Sequence, residues 1–396
     1  MERSFTGPLQ GLRVVEIGSM GPGPFCAMLL ADLGADVIRI DRAHGASLPG
    51  PNTDFRLEVM NRGRRSIAVD LKNPEGREVV LNLIEKADAL IEGFRPGVTE
   101  RLGIGPDDCL ARNPKLVYGR MTGFGQEGPL SQDVGHDINY VAQSGMLSLI
   151  GRRDQPPTPP LSLIGDFGGG GMLLALGILS ALWETRASGK GQIIDAAMVD
   201  GAATLGTAFF GFSQTGHWSP ERGANLVDSG APFYDAYATS DGQYVAVGAI
   251  EPDFYADLLG VLGLDPEGLP DQYDRARWPE LKEIMARSFA TRTRDQWVRD
   301  AAGTNACLTP VLSVSETMTD KHSMARDSFV EINGLRQPAP APRFSRTPAM
   351  IDGPPPVPGE HTREALTDWG VSEERINYWL STGATVVAAA DRIEAI

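Results

Sequence analysis

Over the first 120 residues, short apolar runs alternate with stretches whose apolar positions recur every three or four residues. Residues 12–17 read as a buried strand, residues 18–24 as a glycine-proline turn, residues 24–33 as a helix and residues 36–40 as a second strand. A strand, a helix and a strand in that order call for a parallel sheet. Arg64 and Arg65 precede a third strand at 66–71. Asn73 and Pro74 then suit the N-cap and first position of a helix. Val80, Leu83, Ile84 and Ala87 share its inner face. Strands follow at 89–92 and 116–121. The pattern predicts an α/β fold with a Rossmann-like, doubly wound large domain.

Beyond this, 137–149 reads as a helix carrying Ile138, Val141, Met146 and Leu149. A proline-rich link spans 155–160, a long apolar helix 170–187, and a strand 192–196. Gly189 should end that helix in a left-handed conformation. Residues 1–200 therefore read as the first part of the large domain, and 201–230, rich in Gly, Thr and Ser, as a crossover linker. A smaller α+β domain is expected over 231–330, with a strand pair around Asp241-Gly242 and helices at 252–262, 278–289 and 293–302. Residues 331–396 should return to the large domain through extended proline-rich segments and a last helix at 373–381.

A length of 396 residues, 42% hydrophobic and 22% charged, suits a two-domain globular chain. The net charge of −15 argues against nucleic acid, so an anionic ligand has to be met by local arginines. Cys26, Cys109 and Cys307 lie far apart, which points to a reducing, cytoplasmic compartment and not to a disulfide frame or a metal site. Residues 1–5 lack an apolar signal segment, residues 393–396 are no peroxisomal signal, and no apolar run looks long enough to span a bilayer, so no membrane insertion is expected.

Several motifs fail on inspection. Gly21-Pro22-Gly23-Pro24-Phe25-Cys26 starts like a dinucleotide fingerprint, with Asp41 at the distance of a ribose ligand. Cys26 occupies the third glycine position, and two prolines remove N–H groups that a pyrophosphate would use. The five histidines, His44, His136, His217, His322 and His361, form no H-E-x-x-H pair. There is no G-x-S-x-G elbow, and Gly189-Lys190-Gly191 lacks the Ser or Thr of a P-loop.

Two stretches carry candidate chemistry. Gly135-His136-Asp137-Ile138-Asn139-Tyr140 sets an imidazole beside a carboxylate, and Gly165-Asp166-Phe167-Gly168-Gly169-Gly170-Gly171 sets a carboxylate before a glycine-rich helix start. Imidazole and carboxylate are the commonest proton-moving side chains in catalysis. Each has a plainer reading. His136 alone is more often structural, Asp166 suits an N-cap, and Glu251, in Ala249-Ile250-Glu251-Pro252, suits a helix start. Four glycines exceed what a cap needs and would let backbone N–H groups approach an anion such as a thioester oxygen.

The two stretches together resemble the α-methylacyl-CoA racemases, of the family III CoA-transferase (CaiB/BaiF-like) fold. Gly11-Leu12-Arg13-Val14-Val15-Glu16, Asp32-Leu33-Gly34-Ala35-Asp36-Val37-Ile38, Tyr118-Gly119-Arg120-Met121-Thr122-Gly123-Phe124-Gly125-Gln126 and Gly189-Lys190-Gly191-Gln192 extend the likeness from about residue 10 to about residue 350. The resemblance implies an interlocked homodimer acting on 2-methyl-branched acyl-CoA without a cofactor, CoA being part of the substrate. It also implies inversion of the α-carbon through an enolate, with His136 serving one face and Asp166 the other. Backbone N–H groups near Asp137 would meet the enolate oxygen, and Glu251 of one chain would pair with His136 of the other. For CoA it implies Arg42, Ala68, Val69, Asp70, Leu71, Gly93, Phe94, Arg95, Arg101 and the 135–140 loop, including Gly135, Ile138, Asn139 and Tyr140.

The chain departs from the pattern at Ser162, where similar racemases can carry an Asn that supports the catalytic carboxyl. Two rivals stand beside this reading. One is a CoA-transferase of the same fold using Asp166 as a nucleophile. The other is a non-catalytic acyl-CoA-binding protein.

Overall fold

The computed structural model describes residues 6–46 and 54–388. Their contacts divide into two compact units, one drawn from 1–144, 161–205 and 324–396, the other from 145–160 and 206–323.

The first unit is built on β1 (Arg13–Ile17), α1 (Pro22–Asp32), β2 (Asp36–Arg42), β3 (Arg65–Val69), α2 (Pro74–Ile84), β4 (Ala89–Glu92), α3 (Val98–Leu102), α4 (Pro106–Arg112), β5 (Val117–Thr122), α5 (Asp137–Gln143), a π-helix (Leu163–Met172), α6 (Leu173–Ser188), β6 (Gln192–Ala197) and α7 (Met198–Leu205). Asn73 caps α2 as its sequence predicts, its side chain accepting from the Glu75 N–H at 3.0 Å. The strands run in the order β3-β2-β1-β4-β5-β6, all parallel. A two-residue strand, Thr385–Val386, pairs antiparallel with the outer edge of β3.

Strands β3, β4 and β5 are buried along their whole length, as expected of a parallel sheet covered on both faces. Alternation sends neighbouring residues to opposite cores. Val15, Ile38 and Leu90 pack with α2 and with Trp369 and Trp379 of the C-terminal segment. Val14, Val37 and Ile91 pack with Cys26 and Leu30 of α1 and Ile178 of α6. The C-terminal segment is also tied in by polar groups. Arg65 bridges Asp36 and Asp368, and Trp369 Nε1 donates to Asp36 at 2.7 Å. The chain changes direction across the sheet between β1 and β4, so the loops after these strands part and leave a crevice at their C-terminal ends.

The second unit holds α8 (Thr207–Gln214) and an antiparallel sheet of β7 (Tyr234–Ala238), β8 (Tyr244–Gly248) and β9 (Leu308–Pro310). Helices α9 (Pro252–Leu262), α10 (Trp278–Phe289) and α11 (Arg294–Asp300) accompany the sheet. Phe233, Tyr237, Trp278, Phe289 and Trp297 form its aromatic core. The rings of Tyr237 and Phe289 stack at 4.9 Å.

The structure departs from the sequence expectations in four places. The helix expected over 137–149 stops at Gln143, because Gly145 takes a left-handed φ of 85° and a separate short turn follows at Met146–Leu149. The helix expected from residue 170 begins at Leu163 as a π-helix and runs on into α6. Its last residue is followed by Gly189 at φ 73°, as anticipated. Much of the stretch read as a linker from residue 201 is helical, occupied by α7 and α8. The continuous helix Leu163–Ser188 has 26 residues and is long and apolar enough to cross a membrane by length and composition, which overturns the expectation that no such run exists. The glycine tract had concealed its continuity, since each glycine in a helix interior costs about 1 kcal/mol relative to alanine.

Candidate active site

The residues around His136 and Asp166 come together within the first unit. His136 is the N-cap of α5, and its backbone N–H donates to Asn139 Oδ1 at 3.0 Å. This fixes the backbone while the imidazole stays exposed. The next residue, Asp137, is only 5% exposed. Its Oδ1 accepts the N–H groups of Gly165 at 2.7 Å and Asp166 at 2.8 Å. A Cβ on Gly165 would lie 2.6 Å from that oxygen, so the close approach requires glycine there. Tyr140 braces the loop from behind. Its hydroxyl donates to the Gly135 carbonyl, and its ring stands edge-on to Phe124 at 5.0 Å.

Asp166 is half-buried inside the π-helix and is not its cap, which overturns the N-cap reading. π-Helical turns are rare and frequent at functional sites. Burial pushes the Asp166 carboxyl up to about 6, and the nearby Asp137 charge adds to the rise. A hydrogen bond from Ser162 and the charge of His136 act in the opposite direction. Ser162, the position of departure from similar racemases, therefore does support the carboxyl. Gly21, at φ 68°, is the other neighbour; a Cβ there would sit 3.2 Å from Asp166 Oδ2.

The glycine run serves packing, not an anion. Added Cβ atoms would meet the Ala202 N–H nitrogen at 2.6 Å from Gly169, Pro22 Cβ at 2.9 Å from Gly170, and the Pro22 carbonyl oxygen at 2.7 Å from Gly171. The tract lets α1 and α7 press against the π-helix, backbone to backbone. The N–H groups of Gly165 and Asp166 are already held by Asp137, and that of Phe167 by the Ser162 carbonyl at 3.1 Å. The expectation that this stretch offers free donors to a thioester oxygen is corrected on both grounds.

The expected CoA residues fall into groups. Arg42, Gly93 and Phe94 line a cleft of about 370 Å³ with Gly18, Ser19, Arg39 and Asp41, at the crevice between the ends of β1, β2 and β4. Asp41 is engaged within the protein: its two oxygens accept from Arg39 Nε at 2.9 Å and Ser66 Oγ at 2.6 Å. Arg95 is exposed, and its charge acts on the Tyr140 hydroxyl, which burial pushes up. Arg101 is exposed at the end of α3, and Ile138 and Asn139 are exposed on α5. Ala68 and Val69 are instead buried in β3, with their backbone paired to Thr385–Val386 on one side and β2 on the other. Asp70 and Leu71 follow at the turn into α2, and none of these four lines the cleft. Glu251 belongs to the second unit, exposed at the N-cap position of α9 without a side-chain capping bond.

Sequence reasoning missed Gly18, Ser19 and Arg39 of the cleft lining, and one further group. Glu92, at the end of β4, is fully buried and paired with Arg120 of β5 at 3.0 Å. The only signal was a lone acid closing the apolar run 89–92.

Residues 9–362 match the family model described as CoA-transferase family III. The chain is 48% identical over 370 residues to the alpha-methylacyl-CoA racemase of Mus musculus and 45% identical to that of Homo sapiens. Each match covers 93% of this chain and 95% of the relative. Among solved structures, a CAIB/BAIF family protein from Brucella suis superposes with a TM-score of 0.80 at 27% identity, over 92% of this chain and all of the other.

Proposed function

The chain belongs to CoA-transferase family III, and from that premise we propose that it is an α-methylacyl-CoA racemase. It inverts the α-carbon of 2-methyl-branched acyl-CoA thioesters. The observation that carries this reading is the pairing of two proton-moving groups. The Asp166 carboxyl sits near neutrality, at about 6, within electrostatic reach of the His136 imidazole. A racemase needs a group on each face of the carbon that can both take and give a proton near neutral pH. A nucleophilic carboxylate forming an acyl anhydride has no use for an imidazole opposite.

In one direction Asp166 removes the α-proton, the thioester becomes an enolate, and the His136 imidazolium returns a proton to the other face. In the reverse direction the roles exchange. No cofactor enters, because the thioester itself makes the α-proton acidic enough once the oxygen is held. With the N–H groups of Gly165 and Asp166 occupied, the backbone N–H groups at the start of α5, around Asp137, serve the enolate oxygen. Asp137's carboxylate is then a positioning group, and Arg42, Phe94, Arg95 and Arg101 hold CoA.

The reading includes a homodimer, with Glu251 as the partner of the imidazole. Large apolar side chains support it. Leu163, Met172, Leu176 and Trp183 stand 56–75% exposed along one continuous helix, a surface that a second copy would cover.

The deciding experiment incubates one epimer of a 2-methylacyl-CoA with the protein in deuterated water. Label and chirality are followed beside H136A and D166A. Deuterium uptake with loss of chirality, suppressed in both variants, is expected. Acyl transfer to a carboxylic acid that survives H136A and is lost in D166A would mean a CoA-transferase instead.

A further inference from the structure

Glu92 and Arg120 form a buried pair that the reaction does not use. They are cross-strand neighbours in register on β4 and β5. Glu92 is 0% exposed and Arg120 7%. Both Glu92 oxygens are engaged: Oε1 accepts from Arg120 Nε at 3.0 Å, and Oε2 accepts from the Phe94 N–H at 2.7 Å. Arg120 reaches on to α3, where its Nη1 donates to Glu100 Oε1 at 2.8 Å. Glu100 in turn accepts from the Thr99 hydroxyl at 3.1 Å.

A buried ion pair is a poor device for stability alone, since desolvation cancels most of the attraction. Burial here is strong enough to push Glu92 up to about 7 despite Arg120 and the Phe94 N–H. What the pair does achieve is geometric. One of its hydrogen bonds fixes the backbone of Phe94, which lines the cleft beside Gly93. Another anchors α3, whose last turn presents Arg101. Arg95 lies between these two anchors in the chain.

We propose that Glu92 and Arg120 are positioning residues for CoA. Together they hold the loop after β4 and the helix α3 so that Arg95 and Arg101 meet the anionic nucleotide already in place. The proposal rests on the reading of this loop as a CoA site. Its effect should fall on binding and not on proton transfer, because neither side chain contacts the His136–Asp166 pair.

The test measures the dissociation constant for free CoA by calorimetry, with KM and kcat for a 2-methylacyl-CoA, in E92Q, E100Q and R95A. Glutamine keeps the volume of Glu92 but cannot accept at both ends. E92Q should weaken CoA binding by about tenfold and raise KM in step, with kcat held, the effect of losing one hydrogen bond to a charged group. E100Q, at the exposed end of the network, should weaken binding by a smaller factor, and it decides the matter if E92Q does not fold. Should R95A weaken CoA binding while E92Q and E100Q bind normally, the pair is merely structural and the proposal falls alone. Should R95A bind CoA normally, the loop is not the CoA site and the proposal falls with that reading. A fall in kcat at constant KM in E92Q would also overturn it.

Discussion

Asp137 holds Asp166 by the backbone while pressing on its charge. Its Oδ1 accepts the Asp166 N–H at 2.8 Å, and its negative charge is one cause of the rise of the Asp166 carboxyl to about 6. An amide in its place keeps the acceptor and removes the charge. For the epimer whose proton Asp166 removes, activity is lost as pH falls through the Asp166 pKa, because the base becomes protonated. In Asp137→Asn that acid limb should move to lower pH. The pH profile of kcat/KM for each epimer separately checks this, and an upward shift would refute it.

Ser162 acts with the opposite sign. Its hydrogen bond favours the ionised carboxylate of Asp166. Ser162→Ala should therefore raise the acid limb, where Asp137→Asn lowers it. The double variant should fall between the two single ones. Equal profiles for all four proteins would mean that neither residue tunes Asp166.

The π-helix depends on backbone contact with α7. A Cβ on Gly201 would lie 1.8 Å from the Gly169 carbonyl oxygen, with only backbone there to yield. Gly201→Ala should destabilise the protein by about 2–3 kcal/mol or more, seen as a drop in Tm. Gly211, in α8, has nothing within 4 Å of its Cβ position. Gly211→Ala should be neutral or stabilising by up to about 1 kcal/mol, through helix propensity alone. Similar Tm shifts in the two variants would contradict the close packing.

Arg62 and Asp32 form a buried pair at 2.6 Å, each about 4% exposed. Burial already raises the Asp32 carboxyl, and Arg62 opposes the rise. Arg62→Met leaves the carboxylate unpaired and should cost about 3–5 kcal/mol near pH 8. Below the raised pKa the group takes up a proton and the cost shrinks. Urea unfolding at pH 8 and pH 5 should show the larger loss at pH 8; the reverse order would exclude this account.

Much of the framework was readable in the chain. The strands of the first 120 residues, with α1 and α2, follow from apolar runs and an Asn-Pro cap, because parallel strands buried on both faces have little freedom of composition, whereas the short α3 and α4 gave no such signal. The helices Pro252–Leu262, Trp278–Phe289 and Glu373–Ser381 begin and end where periodicity places them. The site was legible as residue types and illegible as roles. His136, Asp137 and Asp166 stand out as proton-moving groups, but the acceptor role of Asp137 needs two N–H groups 28 and 29 residues away. The glycines at 168–171 pointed to a ligand because one sequence cannot show that α1 and α7 approach there. Glu92 went unseen because its partner Arg120 is joined to it only by strand register.

The strand Thr385–Val386 closes an edge whose other side was made long before. Thr385 Oγ1 reaches the Ala68 carbonyl 317 residues upstream, and Thr362 Oγ1 holds the Val386 carbonyl at 2.7 Å. During synthesis, β3 emerges early and waits with open hydrogen-bonding groups while the whole second unit is made. An unpaired sheet edge whose partner lies this far along the chain is slow to close and prone to sticking. Chains stalled on the ribosome before residue 359 should hold a second unit resistant to protease and a first unit still open to it. On this account the order of assembly follows from the topology, with the inserted unit complete in sequence before the last strand of the unit that flanks it in the chain.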